Sequence, residues 1–396
     1  MHIVTCAAPV NIAIVKYWGK RDETLMLPLN SSLSVTLNPV QLRAKTTVAI
    51  SREFDKSRMW LNSVEQNIDN PRLQNVFREI KQRAYRCHSE KNNCGNREDM
   101  LNWHIHICSE NNFPTSAGLA SSAAGYSCLV SALAYLFGVD GEISDIARLG
   151  SGSACRSMYG GFVEWDMGRC NDGSDSVARP VASNEHWPEL RALILVVTDD
   201  NKKTKSTEGM QKSVNTSELL KTRVERIVPH RINEIKEAIR DKDFDRFAEI
   251  TMKESNQLHA VCLDTFPPIE YLTEVSRRIM NLVHRFNKLC GRTKVAYTFD
   301  AGPNACLFLL EEDVPRVLSL IRHFFRPVNS CFESFIHGLP IEVPRVTTDD
   351  VLTISMGIMP DTIQYVIYTN VGCGPQRLDD CDHSLLDEKG FPKRCR

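Results

Sequence analysis

This sequence is short of net charge, of long apolar runs and of the usual metal-binding pairs. Its 48 Lys and Arg nearly balance 49 Asp and Glu, for a formal charge of −1. No global field therefore draws it to nucleic acid or an acidic membrane, and any anion site must be local. No apolar run approaches the roughly 20 residues that span a bilayer. Met1-His-Ile-Val-Thr-Cys-Ala-Ala-Pro9 lacks the charged and apolar regions of a secretory leader, so a cytoplasmic protein with no membrane partner is expected. Gly-x-x-x-x-Gly-Lys-Ser/Thr does not occur, which excludes a P-loop enzyme at motif level. The 14 cysteines include no Cys-x-x-Cys pair. Scattered irregularly over a long chain, they read as reduced, mostly buried thiols. Tandem repeats and low-complexity tails are missing too.

What is present is an ordinary globular composition, 42% apolar and 24% charged over 396 residues. A chain of that length buries a sizeable core and is expected to divide in two. The polar stretch 169–188, closed by Trp187-Pro188, marks the boundary. It predicts an N-terminal domain over 1–188 and a C-terminal domain over 189–396.

The most informative stretch is Pro114-Thr-Ser-Ala-Gly-Leu-Ala-Ser-Ser-Ala-Ala-Gly125. The alternating Trp103-His-Ile-His-Ile-Cys-Ser109 before it predicts a strand, and the Ala- and Leu-rich run to residue 137 predicts a helix. A strand, a small-residue loop and a helix start leave unpaired N–H groups at the positive end of the helix dipole, a ready anion site. Ser121 and Ser122 add hydroxyls there, and Gly118 allows close approach. A tightly packed helix start without ligand explains the same residues. A second small-residue stretch, Gly150-Ser-Gly-Ser-Ala-Cys-Arg-Ser157, reads as a loop around another anion, with Arg156 offering a planar fork, or as a linker turn.

Other segments are plainer. Ile3–Ala8, Ser32–Leu37 and Ala44–Ile50 read as strands, and Pro71 with Asn70 as cap begins a helix. Residues 86–99 read as a surface loop. Lys16, Lys20 and Arg21, beside Tyr17 and Trp18, are either solvated surface or the frame of an anionic ligand. His104, His106 and Cys108 alternate on one strand, but three donors on one strand cannot enclose a tetrahedral ion alone, so half-buried strand residues are the default and no metal ligands are assigned. Leu190–Val197 reads as a fully buried strand, residues 217–289 as long helices, and Lys294–Phe299 as a strand stopping at Asp300-Ala-Gly-Pro-Asn304. Asp300 is either a turn former or a carboxylate thrust into a cleft.

Pro114–Gly125 resembles the second motif of the GHMP small-molecule kinase superfamily. More narrowly, Ala8-Pro-Val-Asn-Ile-Ala-Ile-Val-Lys-Tyr-Trp-Gly-Lys-Arg-Asp22, Gly150–Ser157, His259-Ala-Val-Cys-Leu-Asp-Thr-Phe-Pro-Pro268 and Tyr297-Thr-Phe-Asp-Ala-Gly-Pro-Asn304 are similar to the diphosphomevalonate decarboxylase family. The likeness runs from about residue 3 to Gly372-Cys-Gly-Pro-Gln376; the tail 379–396 matches less well and is assigned no role. It implies an α+β GHMP kinase fold, with a ribosomal protein S5 domain 2-like N-terminal domain, a ferredoxin-like C-terminal domain and the site in the cleft between them. It also implies a homodimer, ATP and Mg2+, and conversion of mevalonate 5-diphosphate to isopentenyl diphosphate on the route to isoprenoids and sterols.

Carried over residue by residue, the resemblance makes Asp300, Arg156, Asn11 and Lys20 catalytic. Tyr17, Trp18, Gly19, Lys20, Arg72, the run Ser151, Gly152, Ser153, Ala154, Cys155 and Arg156, and Thr207 would hold the substrate. Some members carry arginine where Thr207 stands, so that contact is expected to be weaker or water-mediated. Ser116, Gly118, Ser121, Ser122 and Ser206 would hold ATP. Two other readings compete: a mevalonate or phosphomevalonate kinase that stops at phosphoryl transfer, and a non-catalytic sensor. Asn11, Arg156 and the Asp300 turn speak against the first, and retention of both Asp300 and Arg156 against the second.

Overall fold

The computed structural model describes residues 1–90, 97–113, 121–197, 204–326, 335–379 and 381–393. Ser116 and Gly118, with the rest of 114–120, lie outside the described residues, as do Lys202 and Lys203. Helices and strands mix throughout as an α+β fold. A six-stranded sheet places Gln376–Leu378, His2–Pro9, Arg43–Ser51, His104–Asn111, Arg58–Leu61 and Val64–Gln66 side by side. The helix Ser121–Phe137 lies on it. Its run of Ala, Ser and Cys leaves Ala123, Ala124, Ser127 and Cys128 fully buried, because small side chains let the helix axis approach the sheet closely. A second sheet orders Ala178–Ala182, Phe162–Trp165, Ser32–Thr36 and Asn11–Val15.

The third sheet runs Val295–Phe299, Ala305–Leu310, Leu190–Val197, Ile363–Asn370 and Ile336–Gly338. Leu190–Val197 pairs on both sides, antiparallel to Ala305–Leu310 and to Ile363–Asn370, so its nearly continuous apolar run is what an interior strand requires. The first four of these strands, numbered along the chain, stand in the order 2-3-1-4 with helices in the two crossovers. That is the ferredoxin-like β-α-β-β-α-β pattern. Helix Phe244–Asp264 packs against both Val295–Phe299 and Asn11–Val15, so it ties the third sheet to the second.

Three expectations need correction. The segment read as a loop from residue 86 continues the helix Pro71–Glu90, and Arg97–Met100 is a further helical turn. Leu73, Val76, Phe77, Ile80 and Ala84 form its buried stripe, and His88 extends it, its Nε2 2.8 Å from the Phe137 carbonyl. The stretch Gly150–Ser157 is not a loose loop: Gly152–Met158 is a 3-10 helix, whose tight turns suit short side chains. The tail has a structural place as well. Just past the strand Gln376–Leu378, which pairs with His2–Pro9, Leu386 buries against Ala49, Trp60 and Cys108. His106 is drawn into the same contact, with ring nitrogens 2.7 Å from the Gly390 carbonyl and 3.1 Å from that of Lys56.

Candidate active site

Seven chain segments meet at one cavity of about 250 Å³. Each segment brings its side chains there for a local reason. The strand Asn11–Val15 ends and the chain turns at Gly19, whose φ of +91° is a backbone state that favours glycine; that turn presents Tyr17, Trp18 and Lys20. The first turn of helix Pro71–Glu90 carries Arg72, whose own N–H donates to Asn70 Oδ1 at 3.0 Å, the capping contact. Helix Ser121–Phe137 begins with Ser121 and Ser122 facing the cavity. The 3-10 helix and the residue before it present Ser151, Gly152, Ser153 and Arg156. Strand Val295–Phe299 stops at Asp300, which lines the cavity too, as do Ser206 and Thr207 at the start of helix Ser206–Thr216.

Charge sets the character of the cavity. Among the described residues, Lys20, Arg72 and Arg156 line it with one carboxylate, Asp300. Behind the wall Lys16, 1% exposed, donates from Nζ to Asp300 Oδ1 at 2.7 Å. Arg156 is buried and held on two sides: Nε donates to Asn11 Oδ1 at 3.3 Å and Nη1 to Ser32 Oγ at 2.5 Å. Asn11 in turn donates from Nδ2 to the Ser153 carbonyl at 3.0 Å and to Ser157 Oγ at 2.7 Å. Burial pulls the Arg156 pKa down from its ordinary value, partly countered by the anionic forms of Cys155 and Asp300, so an anion in the cavity would be a favourable partner. Burial also pushes the Tyr17 hydroxyl up, and among the described residues its oxygen has no hydrogen-bond partner.

The predicted residues separate into groups. Asn11, Tyr17, Trp18, Lys20, Arg72, Ser121, Ser122, Ser151, Gly152, Ser153, Arg156, Ser206, Thr207 and Asp300 come together at the cavity. Lys20 there pairs with Glu23 at 2.6 Å; it is Lys16 that meets Asp300. Arg72 Nη2 reaches Thr207 Oγ1 at 3.4 Å. Gly19, Ala154 and Cys155 lie behind the lining: Gly19 supplies the turn, and Ala154 and Cys155 are fully buried, with the Cys155 thiol on the Gly152 carbonyl at 3.0 Å. Ser32, which holds Arg156, carries no signal in the sequence, and Lys16 is left open there between surface and site. The one available signal was Lys16 itself, a lysine at the end of an otherwise apolar strand.

Residues 8–178 match the model of the diphosphomevalonate decarboxylase-like N-terminal domain, and 192–378 that of the mevalonate 5-diphosphate decarboxylase C-terminal domain. The chain belongs to the diphosphomevalonate decarboxylase family. A diphosphomevalonate decarboxylase from Bos taurus is 55% identical over 394 residues, covering 99% of this chain and 97% of that one. A solved mevalonate diphosphate decarboxylase from Trypanosoma brucei superposes with a TM-score of 0.87 at 38% identity, covering 98% of this chain and all of that one. Another solved relative, MDDEF in complex with MVAPP, AMPPCP and magnesium, gives a TM-score of 0.73 at 28% identity over 96% of this chain and 100% of that one. For a diphosphomevalonate decarboxylase family member, a cavity lined by Lys20, Arg72, Arg156 and Asp300 is a coherent site.

Proposed function

We propose that this protein couples ATP cleavage to decarboxylation, converting mevalonate 5-diphosphate and ATP to isopentenyl diphosphate, ADP, phosphate and carbon dioxide. The observation that carries the reading is the meeting of Asp300, backed by Lys16, with the buried Arg156 across one cavity. ATP enters as a substrate. Ser121, Ser122 and the start of their helix are suited to its phosphates, as Lys20, Arg72, Ser151 and Ser153 are to a diphosphate and a carboxylate. The donor set also fits magnesium. One carboxylate and several hydroxyls at the cavity make a sparse protein shell, which suits an ion held largely by phosphate oxygens. Ser122 would help to hold it, and when bound it would offset charge between the phosphates.

Asp300 orients the tertiary 3-hydroxyl and accepts its proton as the oxygen takes the γ-phosphoryl group. The phosphate then leaves with the C–O electron pair, and positive charge builds on the tertiary carbon beside the Asp300 carboxylate. Arg156, aimed by Asn11 and Ser32, holds the substrate carboxylate so that the breaking C–C bond lies in line with the departing phosphate. Its electron pair becomes the new double bond as carbon dioxide departs.

Division at residues 188 and 189, homodimeric assembly, cytoplasmic residence and a role in sterol supply belong to the same proposal. The resemblance supports them, and free thiols such as those of Cys6, Cys128 and Cys155 agree with a reducing compartment. The test is to incubate purified protein with magnesium-ATP and mevalonate 5-diphosphate and measure both products. Carbon dioxide and phosphate released in equal amounts is the expected result. ADP and a phosphorylated acid without carbon dioxide would make it a kinase.

A further inference from the structure

Lysine is a flexible side chain, and fixing its ammonium against one carboxylate oxygen requires a fixed backbone. Lys16 stands just past the strand Asn11–Val15, where the ladder no longer sets its peptide groups. Three side chains do so instead. The Lys16 N–H donates to Glu254 Oε2 at 2.9 Å. The Lys16 carbonyl accepts from Arg223 Nη2 and from Asn30 Nδ2, each at 3.0 Å. Two of these three clamps come from far along the chain and belong to one ionic cluster.

That cluster is built with care for geometry. Arg223 donates to both Glu254 oxygens, Nη1 to Oε1 at 2.9 Å and Nη2 to Oε2 at 2.6 Å. Arg231 Nη1 adds a contact to Oε1 at 2.5 Å, and Gln257 Oε1 accepts from both arginines at 2.6 and 3.0 Å. The Arg223 and Glu254 side chains are 0% exposed and Arg231 is 17% exposed. Arg223 opens a π-helical segment, Arg223–Ile227, a turn type that recurs where function re-aims a side chain. A buried ion pair is a poor source of stability, since apolar residues of the same volume serve as well or better. The two contacts to Lys16 give this one a use that packing alone lacks.

We propose that the Arg223–Glu254–Arg231 triad is a positioning device that clamps the Lys16 backbone and thereby sets the Lys16–Asp300 pair for reaction. The inference rests on the functional reading above, in which Asp300 acts on the substrate. Glu254 and the two arginines do not line the cavity; they act through Lys16. The helix that carries Glu254, Phe244–Asp264, also supplies Leu258 to the cavity wall, so a shift at the clamp reaches the cavity wall by a short rigid path.

A double-mutant cycle in single-turnover carbon dioxide release separates positioning from simple bracing. Glu254→Gln should lower the rate by about 10–100-fold, the cost of misplacing a reacting group by roughly an ångström. Affinity for the ATP analogue AMPPCP should stay within about twofold, because only the aligned step is affected. Lys16→Met removes the ammonium and leaves its backbone clamp. In that background Glu254→Gln should cost less than about twofold further, since the clamp then has no ammonium to place. Arg231→Gln, at the exposed edge of the triad, should show the same non-additivity with a smaller loss, and it carries the test if Glu254→Gln does not fold. Losses that multiply in both backgrounds, or failure of both triad variants to fold, would overturn the inference. The wild-type product ratio is measured first: an inactive wild type sinks the functional reading and the inference together, whereas multiplying losses in an active one sink the inference alone.

Discussion

At the residue scale the site rests on two buried cations, Lys16 and Arg156, and a more exposed carboxylate, Asp300. Arg156 shows what the sequence could and could not tell. Its planar fork was legible from its place in the Gly-Ser stretch, and the structure shows what holds it: one nitrogen meets Asn11 and another Ser32. Ser32 was not legible, because a serine in an alternating strand carries no sign of which side chain it will face. Arg156→Lys keeps the charge but cannot make both contacts. Turnover should fall about 10–100-fold through lost alignment, with AMPPCP affinity nearly unchanged; full turnover at saturating substrate would remove the aligning role.

His259 yields a prediction in pH. Burial first, and the nearby Lys16 charge second, push its imidazole down from 6.5 to about 4, with Asp300 and the Phe299 backbone opposing. Its pKa is lower folded than unfolded, so between these values the unfolded chain binds more protons. Its contribution to stability is therefore present above pH 6.5 and is lost as pH falls towards 4. Wild type should lose about 2 kcal/mol between pH 7 and pH 5 from this group. His259→Phe should flatten the urea-unfolding free energy across that window by the same amount. An unchanged slope would show that His259 does not stay neutral inside the fold.

At the element scale most of the chain was readable. The strands Leu190–Val197 and Val295–Phe299 and the Asn70 cap of helix Pro71–Glu90 agree with periodicity and capping rules because local pattern and tertiary context point the same way. The departures share a cause: polar stretches whose structure is set by distant partners. His88 keeps a helix going by reaching Phe137. The tail, polar and mixed in charge, gains its place from a few apolar side chains such as Leu386, 2% exposed. Leu386→Ala should destabilise the protein by about 2–5 kcal/mol, read as a lower urea midpoint, and should leave the KM for ATP unaltered. A midpoint within error of wild type would mean the tail is not part of the folded unit.

At the scale of the whole molecule, the cavity is assembled from residues that are far apart in the chain. Asn11, Arg72 and Arg156 come from the part with the first two sheets, and Asp300 from the end of a strand in the third. Sequence separation is what hid the rest. Lys16 and Glu254 are 238 positions apart, and no local pattern relates a mid-helix glutamate to a lysine on another sheet. Lys20, four residues on, is as good a candidate from sequence alone, and only the direction of the strand end decides between them. The central claim is that Asp300, held by Lys16 across this junction, performs the chemistry. It is tested most directly by Asp300→Asn, with melting temperature, AMPPCP affinity and carbon dioxide release measured on one preparation. The amide keeps the shape but can neither take the hydroxyl proton nor offset positive charge on carbon. Folding and nucleotide binding should survive while release falls by at least about 10²–10⁴-fold. A folded, nucleotide-binding Asp300→Asn protein that releases carbon dioxide within a few-fold of the wild-type rate would contradict the account.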